Sequence, residues 1–242
     1  MKPRVFRMTF PERKLTLSEQ AYYEIKRMIA QREILPGAAL VLQSLATKLG
    51  MSRMPVVEAI RRLERDGLVT LVPQWGATVK VWSLDEIREA HSIRRALEGE
   101  AARLFVKRAT PEDKRRLAEL SDRFDRWATK DTFKCDEADL EFHLHIVRST
   151  RYQRLYELVE NSKIETTIIS GVSLALNENM DKRVKGYAKG VGIHRQVVKA
   201  LLGKDPEAAA GAIWKHIDSS LDVIVKLDEQ MRTRQVKRTG TQ

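Results

Sequence analysis

The chain has 242 residues, of which 43% are hydrophobic and 32% are charged, as expected for a globular protein of one or two domains. Its single cysteine, Cys135, excludes an internal disulfide framework, and no apolar run reaches the roughly 18 residues of a transmembrane helix. We therefore expect a protein of the reducing cytoplasm that has no membrane association.

The net charge of +11 is unevenly distributed along the chain. Residues 1–82 contain 14 basic residues (Lys and Arg) and seven acidic ones (Asp and Glu). Residues 83–231 contain 26 basic and 26 acidic residues. The segment 232–242 adds four basic residues and no acidic one. Basic charge confined to one segment and a tail is typical of a protein that contacts phosphates.

The N-terminal segment is predicted to hold a flexible basic arm over residues 1–15 and then a helix. This helix begins near Thr16, because Thr16 and Glu19 have the spacing of a capping box, and it ends before Pro36.

Residues 43–65 have the pattern of two short helices joined by a tight turn. Gly50 can adopt the positive φ that ends the first helix, and Ser52 is a favourable N-cap for the second. Pro55 falls in the first turn of this second helix, where a missing N–H costs little. Its apolar stripe is Val56, Ile60 and Leu63, and the opposite face presents Arg53, Met54, Val57 and Arg61.

Two β-rich runs follow, at residues 68–72 and 77–81, joined by the loop 73–76. Two helices and then a hairpin are typical of the winged helix-turn-helix, which places its second helix in the DNA major groove. A helical hairpin with a small packing sheet would share this pattern, but the basic excess of the segment favours DNA binding.

The second half of the chain is predicted to be entirely helical. Ser83 and Glu86 form a capping box, and Thr110 and Asp205 each precede a proline at a first helical position. The predicted helices are 84–108, 111–129, 133–149, 153–175, 182–202 and 206–229. The fold class is thus mainly α, with an N-terminal winged helix-turn-helix at 16–82, an all-helical bundle at 83–231 and a basic tail at 232–242.

Arg94 lies within the apolar stripe of the first bundle helix. A buried arginine has to be paired, because an isolated buried charge is very unfavourable. Its partner is either Glu98, one turn further along the helix, or an anionic ligand such as a carboxylate.

Three histidines and one aspartate also interrupt the bundle stripes. Asp139 and His143 are four residues apart on one helix face, and His194 and His216 lie on the apolar faces of two later helices. Imidazole and carboxylate groups are ligands of divalent transition metals. A buried histidine is more often simply packed, which is what we expect for His91 and His145.

These motifs resemble the GntR family of bacterial transcription regulators. Residues 16–82 are similar to its winged-helix domain, in which a pattern like LGxSRxPVxEAIRxLExDGLV recurs. Residues 84–230 are similar to the all-helical effector domain of its FadR-like branch, called FCD. The matching segments are IRRALEGEAARL at 93–104, DLEFH at 139–143, IHRQVVKALLGKDPEAA at 193–209, and His216.

The resemblance implies a metal site facing a small-molecule cavity. It assigns Zn²⁺, Ni²⁺ or Mn²⁺ to Asp139, His143, His194 and His216, with Arg94 contacting a carboxylate-type effector. The function expected is a non-enzymatic, ligand-responsive regulator, by default a repressor, that associates with the bacterial nucleoid when it binds DNA.

A recognition helix reads only a few base pairs, so we expect a homodimer on a double-stranded DNA operator that has two half-sites. The residues expected to contact DNA are Gln43, Ser52, Arg53, Met54, Pro55 and Gly76. Arg53 is the candidate for a bidentate contact to guanine.

The chain departs from the family pattern at three positions. Val57 and Trp75 stand where the family commonly has basic residues, which predicts a different operator preference and less minor-groove contact by the wing. Tyr152 stands where the effector domain often has asparagine, next to the metal-bearing helix.

Three other functions fit the same residues. The ion itself could be the signal, as in a metal sensor, or the histidines could serve only to pack a structural bundle. A metal-dependent hydrolase is disfavoured, because the sequence contains no HExxH pattern and no Ser or Cys nucleophile motif.

Overall fold

The computed structural model describes residues 15–30, 33–72, 76–162, 166 and 192–239, except for the side chains of 132, 133 and 227–239. The described chain is mainly helical and divides into two compact units between Trp82 and Ser83. The predicted arm up to residue 14, the wing residues 73–75 and most of the predicted segments 163–175 and 182–191 lie outside the described residues. None of the described helices combines the length and apolarity needed to cross a membrane.

The first unit contains three helices and a small sheet. Its elements are α1 (Leu17–Ala30), β1 (Ala39–Leu40), α2 (Leu42–Leu49), α3 (Arg53–Arg65), β2 (Val69–Val72) and β3 (Gly76–Val79). The predicted capping box opens α1, since the Thr16 N–H donates to Glu19 and the Glu19 N–H donates to Thr16 Oγ1. Gly50 ends α2 in the left-handed conformation, at φ 65°.

The predicted apolar stripe of α3 forms the centre of this unit. Val56, Ile60 and Leu63 are buried, and α3 packs on α1 and on β2. Ser52 occupies the N-cap position with an extended backbone, but its side chain makes no capping hydrogen bond, contrary to the sequence prediction.

The sheet has three strands, whereas the sequence predicted two. The strand order is β1-β3-β2, with all pairs antiparallel, and Ala39 of β1 pairs with Thr78 of β3. Strand β1 was missed because its two residues are too few to show an alternating pattern.

The second unit is a helical bundle, with no strand among its described residues. Its helices are α4 (Leu84–Arg108), α5 (Pro111–Trp127), α6 (Thr132–Arg148), α7 (153–162), α8 (Ile193–Leu201) and α9 (Pro206–Thr239). The predicted capping box opens α4 at Ser83, and Thr110, predicted as a cap before Pro111, forms a capping box with Asp113 at the start of α5. Asp205 accepts hydrogen bonds from the N–H groups of Glu207 and Ala208 at the start of α9.

The last helix is longer than the sequence predicted. Helix α9 continues past residue 229 to Thr239 and so includes most of the predicted basic tail. No glycine or proline occurs between Gly211 and Gly240, so no residue in that stretch interrupts helical geometry.

Helices α4 and α9 pack along each other, α5 packs on α6, and α8 packs between α5 and α9. This arrangement turns one face each of α6, α8 and α9 toward a shared interior. The predicted residues Asp139, His143, His194 and His216 lie on these faces, and Arg94 lies on α4.

Candidate metal centre and DNA-contacting surface

Four predicted ligands come together inside the helical unit. Asp139 and His143 project from one face of α6, His194 from α8 and His216 from α9, and one ligand atom from each lies within 4.8 Å of the others. Asp139 Oδ1 lies 3.1 Å from His194 Nε2 and 3.5 Å from His143 Nε2. The Nε2 atoms of His143 and His216 are 2.9 Å apart.

The spacing of these atoms fits a metal ion. Ligand atoms that each lie about 2.0–2.2 Å from one ion are separated from one another by about 3–4 Å. Two ring nitrogens at 2.9 Å also need a proton or a cation between them, because two lone pairs repel each other. Three imidazoles and one carboxylate suit a divalent transition metal.

Burial and neighbouring charges keep His216 in the form that binds metals. His143 and His194 are fully buried, while Asp139 and His216 remain partly accessible. Desolvation, together with repulsion from His194 and His143, lowers the pKa of His216 well below its usual 6.5. His216 is therefore uncharged at neutral pH and can offer a lone pair to a cation.

Aromatic rings and an ion pair hold His194 in place. The rings of Phe124 and Phe142 pack on its imidazole, at centroid distances of 4.1 and 4.5 Å. Asp125 on α5 accepts a hydrogen bond from the Gly192 N–H and lies 2.9 Å from Arg195 Nε, so it fixes the start of α8. An apolar shell of this kind limits the access of solvent to the cluster.

Arg94 lies directly beside the cluster. Its side chain is buried, its Nε donates to Glu98, and its Nη2 lies 3.2 Å from His143 Nε2. Of the two partners that the sequence left open for Arg94, the structure shows Glu98, and the guanidinium also reaches His143.

Glu98 has a second role that the sequence analysis missed. Its other carboxylate oxygen accepts a hydrogen bond from His143 Nδ1. The two residues are 45 positions apart on different helices, so periodicity within one helix carries no signal of this contact.

The remaining two histidines lie outside the cluster, as predicted. His91 Nδ1 is 2.8 Å from the carbonyl oxygen of Ile87, and the His145 ring bonds to the carbonyl oxygen of Asp113 at 2.8 Å. Cys135 is buried among apolar residues.

Most of the residues predicted to contact DNA are exposed on the first unit. These are Gln43, Ser52, Arg53, Met54 and Gly76, with Met54 66% exposed. Pro55 is buried, so its side chain does not reach the surface where the sequence analysis expected a contact.

The departures from the family pattern have different surroundings. Val57 is half-buried on α3, and Trp75 lies outside the described residues. Tyr152 is 47% exposed, and its ring packs under the guanidinium of Arg108 at 4.5 Å.

Family models match both units of the chain. The model for bacterial regulatory proteins of the gntR family matches residues 17–79, and the FCD domain model matches residues 89–219. Together these models cover most of the described chain.

Curated relatives share this organisation. An HTH-type transcriptional regulator in an unstable DNA locus of Streptomyces ambofaciens is 29% identical over 211 residues, which cover 85% of this chain and 84% of the relative. The HTH-type transcriptional repressor RspR of Escherichia coli is 23% identical over 218 residues, which cover 88% of this chain and 91% of RspR.

Solved structures share the fold. Escherichia coli McbR/YncC superposes with a TM-score of 0.76 at 24% identity, over 88% of this chain and 99% of that one. A GntR transcriptional regulator from Rhodococcus sp. RHA1 gives a TM-score of 0.72 at 24% identity, over 86% and 97% of the two chains. The chain belongs to the GntR family of bacterial regulatory proteins and is a DNA-binding transcriptional regulator with an N-terminal winged helix-turn-helix and a C-terminal FCD domain.

Proposed function

We propose that this regulator is a homodimeric repressor whose FCD unit binds a divalent metal and a small organic acid, and that the acid releases it from its operator. In this proposal residues 16–82 contact DNA and residues 83–231 bind the metal and the acid. The observation that carries it is the cluster of Asp139, His143, His194 and His216, whose ligand atoms lie within 4.8 Å of one another.

Arg94 supports an acidic effector. A guanidinium beside a divalent cation would offer a carboxylate two convergent partners, and Glu98 engages the Nε side of the Arg94 guanidinium. The metal, when bound, would supply a Lewis-acidic site for one carboxylate oxygen. Arg94, already held by Glu98, would donate to the other oxygen.

The exposed end of α3 supports a base-reading role. Arg53 and Met54 lie in its first turn and are exposed, as are Ser52 just before the helix and Gln43 on α2. We propose that Arg53 contacts a guanine, and that Gln43 and Ser52 contact nearby phosphates. Two copies of this short surface, supplied by a dimer, would read two half-sites.

We propose that DNA binding represses transcription, because the relative RspR is a repressor. An effector changes DNA affinity only if it binds one dimer geometry more tightly than another. Helix α4 carries Arg94 and begins directly after the first unit, so we propose that it transmits the change.

An operator mobility-shift titration tests this function. The operator is obtained by in vitro selection from random duplexes, and the full chain is loaded with Zn²⁺. We expect one class of small carboxylic acids to lower operator affinity by about 5–150-fold. Amides of the same acids and a random duplex of equal length serve as controls. Unchanged or increased affinity with every acid would contradict the proposed mechanism.

The metal-sensor alternative uses the same four ligands, so it needs its own comparison. Operator affinity is measured with and without Zn²⁺ in the absence of acid. If Zn²⁺ alone produces the full change and no acid adds to it, the ion itself is the signal.

A further inference from the structure

Glu98 joins two side chains and two helices at the edge of the cluster. Both it and Arg94 are 2% exposed. One carboxylate oxygen accepts from Arg94 Nε, one turn earlier on α4, and the other accepts from His143 Nδ1 on α6. Nothing in the family match assigns a role to this carboxylate.

The contacts of His143 determine which of its ring nitrogens carries the proton. A carboxylate can only accept, so the nitrogen facing Glu98, Nδ1, has to be the donor. A guanidinium can only donate, so the nitrogen 3.2 Å from Arg94 Nη2, which is Nε2, has to present a lone pair. Two neighbours of opposite hydrogen-bonding character thus select the same tautomer.

The unprotonated nitrogen is also the one that faces the other ligands. His143 Nε2 lies 2.9 Å from His216 Nε2 and 3.5 Å from Asp139 Oδ1. A histidine binds a metal only through an unprotonated nitrogen. A carboxylate bonded to the far nitrogen of a metal-bound histidine commonly fixes the orientation of its ring.

We propose that Glu98 is a positioning residue that holds His143 as the Nδ1–H tautomer and thereby directs Nε2 at the metal. This inference rests on the metal centre proposed above. The same carboxylate offsets the charge of Arg94, which would otherwise face the bound cation as an uncompensated buried charge. Loss of Glu98 weakens metal binding through both effects.

The first test compares Glu98→Gln with Glu100→Gln in the full chain. Glutamine keeps the size of Glu98, but it replaces one of the two accepting oxygens with an NH2 group, which then faces a donor of either Arg94 or His143. Glu100 is an exposed carboxylate on the same helix, so its replacement removes the same charge without touching the cluster.

We expect Glu98→Gln to raise the Zn²⁺ dissociation constant about 10–100-fold, measured by competition with a chromophoric chelator. Glu100→Gln should match the wild type. If the wild type binds Zn²⁺ and Glu98→Gln binds it as tightly as Glu100→Gln, the role proposed for Glu98 is wrong. The proposed metal centre is not affected by that result. If the wild type itself binds no Zn²⁺, the proposed metal centre fails and this inference fails with it.

A second measurement does not depend on the folding of a variant. Long-range ¹H–¹⁵N spectra of chelator-treated wild type, labelled at histidine, report the tautomer of His143. We expect the proton on Nδ1 and an unprotonated Nε2. A proton on Nε2 with an unprotonated Nδ1 would overturn the proposal.

Discussion

Arg53 is the side chain that we propose reads a base. It is the first residue of α3, and it is exposed. We expect Arg53→Ala to weaken operator binding by about 1–3 kcal/mol and to relax the preference at one half-site position. Mobility shifts on the selected operator and on its single-position variants measure both effects.

The matched control is Arg115→Ala, which removes one exposed arginine from the FCD unit. It should leave the half-site preference unchanged. If Arg53→Ala weakens binding to the operator and to a random duplex equally, Arg53 contacts a phosphate and not a base.

His145 makes the free energy of unfolding depend on pH. Burial, the largest effect, lowers the pKa of His145 below 6.5, although its hydrogen bond to the Asp113 carbonyl opposes the change. Because the unfolded chain then binds the proton more readily, the free energy of unfolding falls as the pH drops below 6.5 and approaches the folded-state pKa.

We expect His145→Gln to remove this contribution, so that stability changes less with pH over that window. Urea unfolding of chelator-treated protein at a series of pH values measures the effect. The other histidines are present in both proteins, so the difference between the two curves isolates His145. Parallel curves would contradict the prediction.

Single residues were predictable where one helix contained the whole pattern. Asp139 and His143 share a helix face, and the family motifs supplied His194 and His216. The burial of Pro55 was missed although Ala59, four residues later and also buried, marks the same face of α3. The contact between Glu98 and His143 depends on tertiary packing and has no local pattern.

At the scale of elements, close packing of α4 against α9 depends on Gly99. A Cβ atom at this position would lie 2.2 Å from Trp214 Nε1, which donates to the Arg95 carbonyl oxygen at 3.0 Å. Gly99→Ala therefore has to displace the indole. We expect a loss of about 1–3 kcal/mol from overpacking, which outweighs the roughly 1 kcal/mol that alanine gains in a helix.

Gly211→Ala on α9 is the matched control, because among the described residues no atom outside the adjacent backbone lies within 4 Å of its added Cβ. It should stabilise the protein by up to about 1 kcal/mol. Urea unfolding of both variants measures the difference. If Gly99→Ala also stabilises the protein, the packing at Trp214 is looser than the structure indicates.

Element boundaries were predictable where local chemistry sets them. The capping boxes at Thr16 and Ser83 occur as their spacing predicts, and Thr110 caps α5 before a proline as expected. Strand β1 was not predictable, because two residues gain their strand conformation only by pairing with β3. The predicted end of α9 was wrong because no residue near 229 stops a helix.

At the scale of the whole molecule, the metal should stabilise the folded chain. A ligand that binds only the folded state adds about 2.7 kcal/mol at a concentration 100 times its dissociation constant. We expect Zn²⁺ to raise the unfolding midpoint of the wild type, and chelation to reverse the effect. In His194→Ala the increase should be largely lost, since one of four ligands is gone.

Differential scanning calorimetry with and without Zn²⁺ measures these midpoints. The Arg115→Ala variant controls for the effect of a substitution at an exposed position of the same unit and should respond to Zn²⁺ like the wild type. Equal stabilisation of the wild type and His194→Ala would show that the ion acts elsewhere on the chain.

The division of the chain into two units could be predicted from the distribution of charge along the sequence. The basic excess over residues 1–82 marks the winged-helix unit, and the balanced charge of residues 83–231 marks the helical one. Charge gives no information about the interior, however; the meeting of α6, α8 and α9 at one cluster was expected from the family motifs, and the folded chain shows it.

The central claim is that one divalent ion binds among Asp139, His143, His194 and His216. Anomalous diffraction from crystals grown with Zn²⁺, recorded on both sides of its absorption edge, tests this claim most directly. The account predicts one strong peak per chain, surrounded by the Asp139 carboxylate and the three imidazoles. Strong peaks only at other positions, with none among these four side chains, would contradict it.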